Sequence, residues 1–419
     1  MSHNNNEVKT TENVGLLNNN EPAIDLSDEE EIEINVLNSD EQQQQPTEPT
    51  VKTSSSRVYW VDCLRIYASY IVVITHSSWY NLKRELGSWD ANVANVYQGS
   101  TRACVPFFVM ISGIFFLKPS KNLTFSLLFS KYISRMIKCY IFWCIFYAIV
   151  YQNLLYNNFS FFLHKNEIIS TIQSSILGIF HLWYLSFVIG LYLGTPIYRA
   201  IAADRNLAKY TIIISVIAFQ LVPTIVYLVK FYTKFEEISI LQKFFNQFKF
   251  EMAGSYSVYY LLGYLLSTYE FKKKRNIYGM YIIGILGTVL TTFFYVYHTI
   301  KAGKIEQTMI DFNSTTVVMS TIGGFIFFKY TVNGWIQPLV EKSWFRKWLS
   351  VLSECSFGVY LWHMFVLRVF HRLGFNGNTF AGVYIDTTIG IPINTTMCYI
   401  ISFIITYIMK KIPLLKALV

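Results

Sequence analysis

The stretch YWVDCLRIYASYIVVITHSSWY, residues 59–80, decides the fold class. A helix of roughly 20 mostly apolar residues crosses a bilayer, yet this one carries Asp62, Arg65 and His76. Asp62 and Arg65 stand three apart, the spacing at which helical side chains meet. Arg65 and His76 are eleven apart. At ~100° per residue that returns to within about 20° of the same face, some ~16 Å along the axis. Ser69 shares the stripe. One apolar helix therefore shows a polar stripe, with an ion pair near its start and an imidazole towards its end. Such groups are costly at membrane depth. They are either a snorkelling anchor with a rim histidine or part of a functional path.

The pattern repeats outward from this stretch. Of 419 residues, 53% are hydrophobic and only 15% charged, where soluble chains run to about a quarter charged. Mean hydropathy is +0.34. Apolar runs of spanning length fall at 58–80, 102–118, 138–157, 179–200, 210–229, 252–269, 278–298, 313–333, 350–371 and 389–409. The expectation is an all-α integral membrane protein, a bundle of about ten transmembrane helices. Residues 57–419 form its membrane domain. Residues 1–56 hold 12 acidic side chains and 2 lysines, with Asn and Gln runs, and read as a disordered cytosolic tail. The tail has no signal-peptide core, so the first membrane helix must target the chain.

The membrane domain carries 33 basic and 14 acidic residues. Positive loops facing the cytosol account for that excess, and no motif for nucleic acid appears. With a cytosolic amino terminus, the inner segments hold 21 Lys and Arg and the outer ones 12, Arg102 among the latter. The bias predicts a multi-pass protein with both termini cytosolic. Asn158-Phe159-Ser160 is then an outer glycosylation sequon. Two inner linkers, 120–137 and 335–348, mix basic and apolar residues; each is either an in-plane amphipathic helix or an ordinary loop. The six cysteines lie in apolar segments and read as reduced and buried, with no metal-ligand spacing.

His181 opens the fourth span in HLWYL, where it is an interfacial histidine or a functional one. His363, about fourteen residues into the ninth span, lies too deep for a rim residue. His298, His371 and His164 read as solvated, and His3 belongs to the tail. No HExxH, P-loop, GxSxG or dinucleotide turn is present. Gly323-Gly324 and YLLGYLLS at 260–267 read as helix packing.

Taken in order, the pieces resemble a family. WVDCLRIYASYIVVITH (60–76) has an Arg, ten residues, then a His. VPFFVMISGIFF (105–116), KYISRMIK (131–138), HLWYLSFVIGLYLGTPI (181–197), LLGYLLS (261–267) and SFGVYLWH (356–363) follow. From about residue 57 to 410 the chain resembles the acyltransferase-three family of integral membrane acyltransferases, typified by bacterial polysaccharide O-acetyltransferases.

The resemblance implies transfer of an acetyl-type group from cytosolic acyl-CoA to an acceptor hydroxyl or amine, on a carbohydrate or a small molecule. It implies His76 as the catalytic histidine, with Arg65 below it. It also points to an Arg-x-x-Arg donor element, here Arg135-Met-Ile-Lys138, where Lys keeps the charge but loses the planar fork. Lys131, Arg135 and Lys138 would attract the CoA phosphates, Asp62 would pair with Arg65, and His181, Trp183 and His363 would orient the acceptor. No metal and no permanently bound cofactor is expected; acetyl-CoA is a co-substrate. The rival reading is a transporter using the same intramembrane Asp, Arg and His.

Overall fold

The computed structural model describes residues 57–119, 121–154, 165–247 and 256–419. In the absence of water every backbone polar group must find its partner within the chain, and these apolar residues accordingly form helices almost throughout. In chain order they are α1 (Tyr59–Ser77), α2 (Trp89–Ser100), α3 (Cys104–Phe116), α4 (Phe125–Val150), α5 (Lys165–Leu177), α6 (Trp183–Leu193), α7 (Thr195–Ala203) and α8 (Arg205–Thr233). There follow α9 (Ser239–Gln247), α10 (Ser257–Thr268), α11 (Lys274–Ala302), α12 (Thr315–Phe327), α13 (Asn333–Val340), α14 (Ser343–Arg372), α15 (Thr387–Lys411) and α16 (Pro413–Lys416). A two-strand hairpin, β1 (Thr379–Phe380) with β2 (Val383–Tyr384), precedes α15.

Among the described residues, eight helical stretches are long and apolar enough to cross a membrane. The expected first and sixth spans are α1, which is diluted by its polar stripe, and α10, the described part of 252–269. The protein is a multi-pass membrane protein. Its α1 is central, packed against α3, α14 and α15. Leu64, Ala68, Val73 and Thr75 of this helix are nearly or fully buried.

Glycines set the closest crossings, as expected for helices that associate without a hydrophobic drive. A methyl group on Gly113 of α3 would overlap the Tyr260 carbonyl, and one on Gly263 of α10 would overlap the Met110 carbonyl. Between α11 and α12, a methyl on Gly284 would come within 2.7 Å of the Gly323 Cα.

Several expectations need correction. The second span does not begin at 102; it runs Trp89–Phe116, as α2 and α3 joined by a turn at Thr101–Ala103. Asn95 and Gln98 hide it from a hydropathy reading, yet both are buried. Arg102 therefore lies in the middle of this span and not in an outer loop. The basic stretch 120–137 is largely the opening of α4, and 335–348 is shared between the end of α13 and the start of α14. Both stretches are helical over most of their length and are not ordinary loops.

His298 is fully buried, since α11 extends to Ala302. Its Nδ1 lies 3.2 Å from the Tyr227 hydroxyl and its Nε2 3.2 Å from that of Tyr232. His371 is half-buried and stacked on Tyr80, centroids 4.4 Å apart. His164 and the Asn158 sequon lie outside the described residues. All six cysteines are unpaired, five buried and Cys63 half-buried. The start of α1 and the end of α15 share one end of the bundle: Glu354 receives Arg57 Nη1 at 3.1 Å on its carboxylate and Lys410 Nζ at 2.9 Å on its backbone carbonyl.

Candidate active site

The last turn of α1 holds His76, and it is clamped from three sides. A helix ends with unsatisfied carbonyls that need donors. Gln98 of α2 supplies one, its Nε2 donating to the Thr75 carbonyl at 2.5 Å and to Ser78 Oγ at 3.0 Å. The Thr75 and Thr101 hydroxyls bond at 2.8 Å, and Asn394 of α15 donates to Ser77 Oγ at 3.0 Å. Neighbouring residues of His76 are thus tied to two other helices, while His76 itself is half-buried.

Two more imidazoles meet it. His363 of α14 is fully buried, its ring 5.0 Å from that of His76. His181 comes from the 3-10 turn before α6, is 2% exposed, and has its ring 5.6 Å from His363. His363 Nδ1 lies 2.6 Å from the Tyr360 carbonyl, which can only accept, so that nitrogen carries the proton. The remaining His363 Nε2 is a lone-pair site, and it is buried with no partner. Both ring nitrogens of His181 are likewise buried and unpartnered. Three histidines that sequence alone kept apart form one cluster.

Below the cluster, Asp62 is 5% exposed and more heavily used than expected. Its closest partner is Arg57, with Nε at 2.6 Å from Oδ2 and Nη2 at 3.3 Å from Oδ1. Ser353 Oγ donates to Oδ1 at 2.6 Å. The expected Arg65 partner stands further off, at 3.7 Å, and its Nη1 donates to Ser353 Oγ at 3.1 Å. With Asp62 mainly answered by Arg57, the Arg65 guanidinium remains available to a cavity.

That cavity, of about 350 Å³, is lined by Arg65, Arg135 and Lys410, with Glu354 as its one carboxylate. Tyr184, Tyr192 and Tyr360 also line it. The Tyr360 hydroxyl donates to the His181 carbonyl at 2.6 Å, so the same side chain touches both the cavity and the histidine cluster. Arg135 of the expected donor set is in the lining; Lys131 and Lys138 are exposed and are not. Lys410 registers in the sequence only as a charge on the inner side, whereas Arg65 already stands with His76 and Asp62 among the expected catalytic residues. Trp183 stands on the other side of the cluster, 36% exposed, stacked on Phe312 at 5.9 Å.

A polytopic helical membrane protein with a buried histidine cluster above a cationic cavity belongs among membrane-embedded transferases and carriers. Comparison with known proteins decides between them. The chain belongs to the acyltransferase-three family: the family's model, described as an acyltransferase domain, matches residues 58–411. No curated protein and no solved structure matches the chain. The protein is therefore a membrane acyltransferase that moves groups other than aminoacyl groups, and the transporter reading falls.

Proposed function

We propose that the protein transfers an acetyl group from cytosolic acetyl-CoA to a carbohydrate hydroxyl, with His76 as the group that handles the acceptor proton. The observation that carries this reading is the position of Tyr360, which lines the cationic cavity and bonds to the backbone of His181. A donor whose phosphates rest on Arg65, Arg135 and Lys410 would reach the histidine cluster through its pantetheine arm. Phosphates favour such charge-assisted bonds.

In the transfer, the acceptor O–H loses its proton to His76 and the oxygen attacks the thioester carbonyl. The C–S bond breaks, and the CoA thiolate takes the proton back from the imidazolium. The acceptor oxygen ends bonded to the acyl carbon whether transfer is direct or passes through an acyl-imidazole. The unpartnered nitrogens of His363 and His181 orient the acceptor hydroxyl beside His76, and Trp183 supplies an apolar face. Asp62 acts at one remove, by holding Arg57, Ser353 and Arg65 in register.

The test is radiolabelled acetyl-CoA supplied to membranes holding wild type or His76→Ala at matched expression. Label entering a glycan or lipid fraction, or acetyl-CoA hydrolysis, should fall by a factor on the order of 10² or more in the variant. Equal rates in the two would remove His76 from the chemistry. Failure of the purified protein to bind any acyl-CoA saturably would remove the donor.

A further inference from the structure

Arg102 has no role in the reaction above, and its surroundings ask for one. It stands between α2 and α3, in the middle of the 28-residue stretch Trp89–Phe116. A cation at that depth is costly unless something answers its charge, and such residues mark functional sites. Its guanidinium carbon lies 5.7 Å over the Phe312 ring, which offers a quadrupole but no counter-charge. Among the described residues no carboxylate forms an ion pair with it, and its buried Nε has no hydrogen-bond partner. Asp311, next to Phe312 in the chain, is exposed, with Oδ1 accepting from the Asn313 amide at 2.8 Å. The Arg102 side chain as a whole is half-buried, so it is reachable.

Two further features fix its relation to the chemistry. The bond between Thr75 and Thr101 joins the residues immediately before His76 and Arg102, at 2.8 Å, and so ties the two positions together. Phe312, the ring beneath Arg102, is stacked on Trp183 and meets Tyr256 edge-on at 5.6 Å. A partly exposed indole and a planar cation without an ion-pair partner thus both pack on the Phe312 ring. An indole face packs against a ring's apolar side, and a guanidinium fork grips an oxyanion in two places.

We infer that Arg102 and Trp183 form an acceptor subsite for a sugar bearing an anionic group, a phosphate or a carboxylate, held within reach of His76. This deepens the acyltransferase reading and rests on it.

The test uses the full chain in lipid nanodiscs. Phenylglyoxal modifies accessible arginines, and peptide mass spectrometry reads Arg102 separately from exposed Arg346. Glucose 1-phosphate, glucuronate and glucose are added in turn. At about ten times its dissociation constant, an anionic sugar should slow modification of Arg102 roughly tenfold by mass action and leave Arg346 unaffected. Protection by glucose 1-phosphate alone identifies a phosphate-linked acceptor, and by glucuronate alone an acidic sugar. Failure of Arg102 to react, protection by none of the three, or equal protection by glucose overturns the inference. As a second reading, the anionic sugar that protects should raise the melting temperature of wild type and of Arg102→Lys but not of Arg102→Gln; an equal rise in all three also overturns it. Acetyl-CoA turnover is followed on the same preparation. Turnover without protection removes the anion subsite and keeps the acyltransferase reading; protection without turnover does the reverse to the acetyl-CoA reading.

Discussion

At the scale of single residues, the reactive histidine is only as well placed as the turn that carries it. Gln98 is fully buried and donates to the Thr75 carbonyl next to His76. A leucine of similar size would leave that carbonyl buried without its donor and let the turn relax. Gln98→Leu is therefore expected to lower kcat by roughly ten- to a hundredfold, the cost of a shift of about 1 Å at a reacting group, with acetyl-CoA affinity unchanged. Stopped turnover and equilibrium binding on the same preparation check it; a fall confined to affinity would show that Gln98 acts elsewhere. The sequence made His76 and Arg65 legible because eleven-residue spacing is a helical period. It made Gln98 illegible because a glutamine in a polar run before an apolar helix reads as loop. Its partner is a main-chain carbonyl 23 residues earlier, which no local pattern records.

At the scale of elements, helix ends are finished by long cations reaching across from neighbours. Arg199 of α7 donates to the carbonyls of Phe116 at 2.8 Å, Lys118 at 3.0 Å and Lys121 at 2.9 Å, closing the end of α3. Lys329, 8% exposed, does the same for α10, with Nζ at 3.1 Å from the Leu266 carbonyl, 3.0 Å from that of Ser267 and 2.7 Å from that of Tyr269. Cations at a helix carboxyl end also answer its dipole. Lys329→Met should destabilise the protein by about 1–3 kcal/mol, the cost of leaving such acceptors unmet, read as a lower melting temperature in detergent. The hydrogen bond from Lys329 holds the Glu270 carboxyl below its usual pKa. The folded state thus favours its charged form, so this contribution is complete above the ordinary carboxylate pKa and is lost as pH falls through the lowered one. The variant's melting temperature should depend less on pH in that acid range. Helix crossings predict in the same way. Gly113→Ala places a methyl group on the Tyr260 carbonyl, so α3 and α10 must part, at about 1–3 kcal/mol. An unchanged melting temperature would mean that the crossing has room for the methyl group. Glycine pairing was readable as packing from the sequence, because small residues in apolar helices have few other uses. The break at Thr101–Ala103 was not, because Thr101 finds its partner on α1, at Thr75, a pairing that no local pattern records.

At the scale of the whole molecule, the bundle separates two electrostatic tasks along its axis: cations at one end of α1 and imidazoles at the other. The span pattern gave the bundle, since backbone satisfaction in lipid permits little else. It did not give the membership of the cationic cavity, because that depends on which faces of α1, α4 and α15 meet. Arg135 and Lys410 are 275 positions apart and line one cavity with Arg65, whereas Lys131 and Lys138, close to Arg135 in sequence, stand outside its lining. The two sets make opposite predictions. If the cavity binds the donor phosphates, Lys410→Met and Arg135→Met should each weaken acetyl-CoA binding by about tenfold, the worth of one charge-assisted phosphate contact. Lys131→Met and Lys138→Met, as solvated charges more than one side chain away, should weaken it less than about threefold, and that residue of effect should vanish in high salt, where surface charges are screened. Acetyl-pantetheine, which lacks the phosphates of CoA, separates charge from packing. Its affinity should be the same for wild type and Lys410→Met, because the lost methylene contacts are small beside the lost charge. Isothermal binding with both donors, in low and high salt, measures all of this. Equal weakening by Lys131→Met and Lys410→Met would move the phosphate site out of the cavity to the exposed face of α4, and a parallel loss of acetyl-pantetheine would make Lys410 a packing residue.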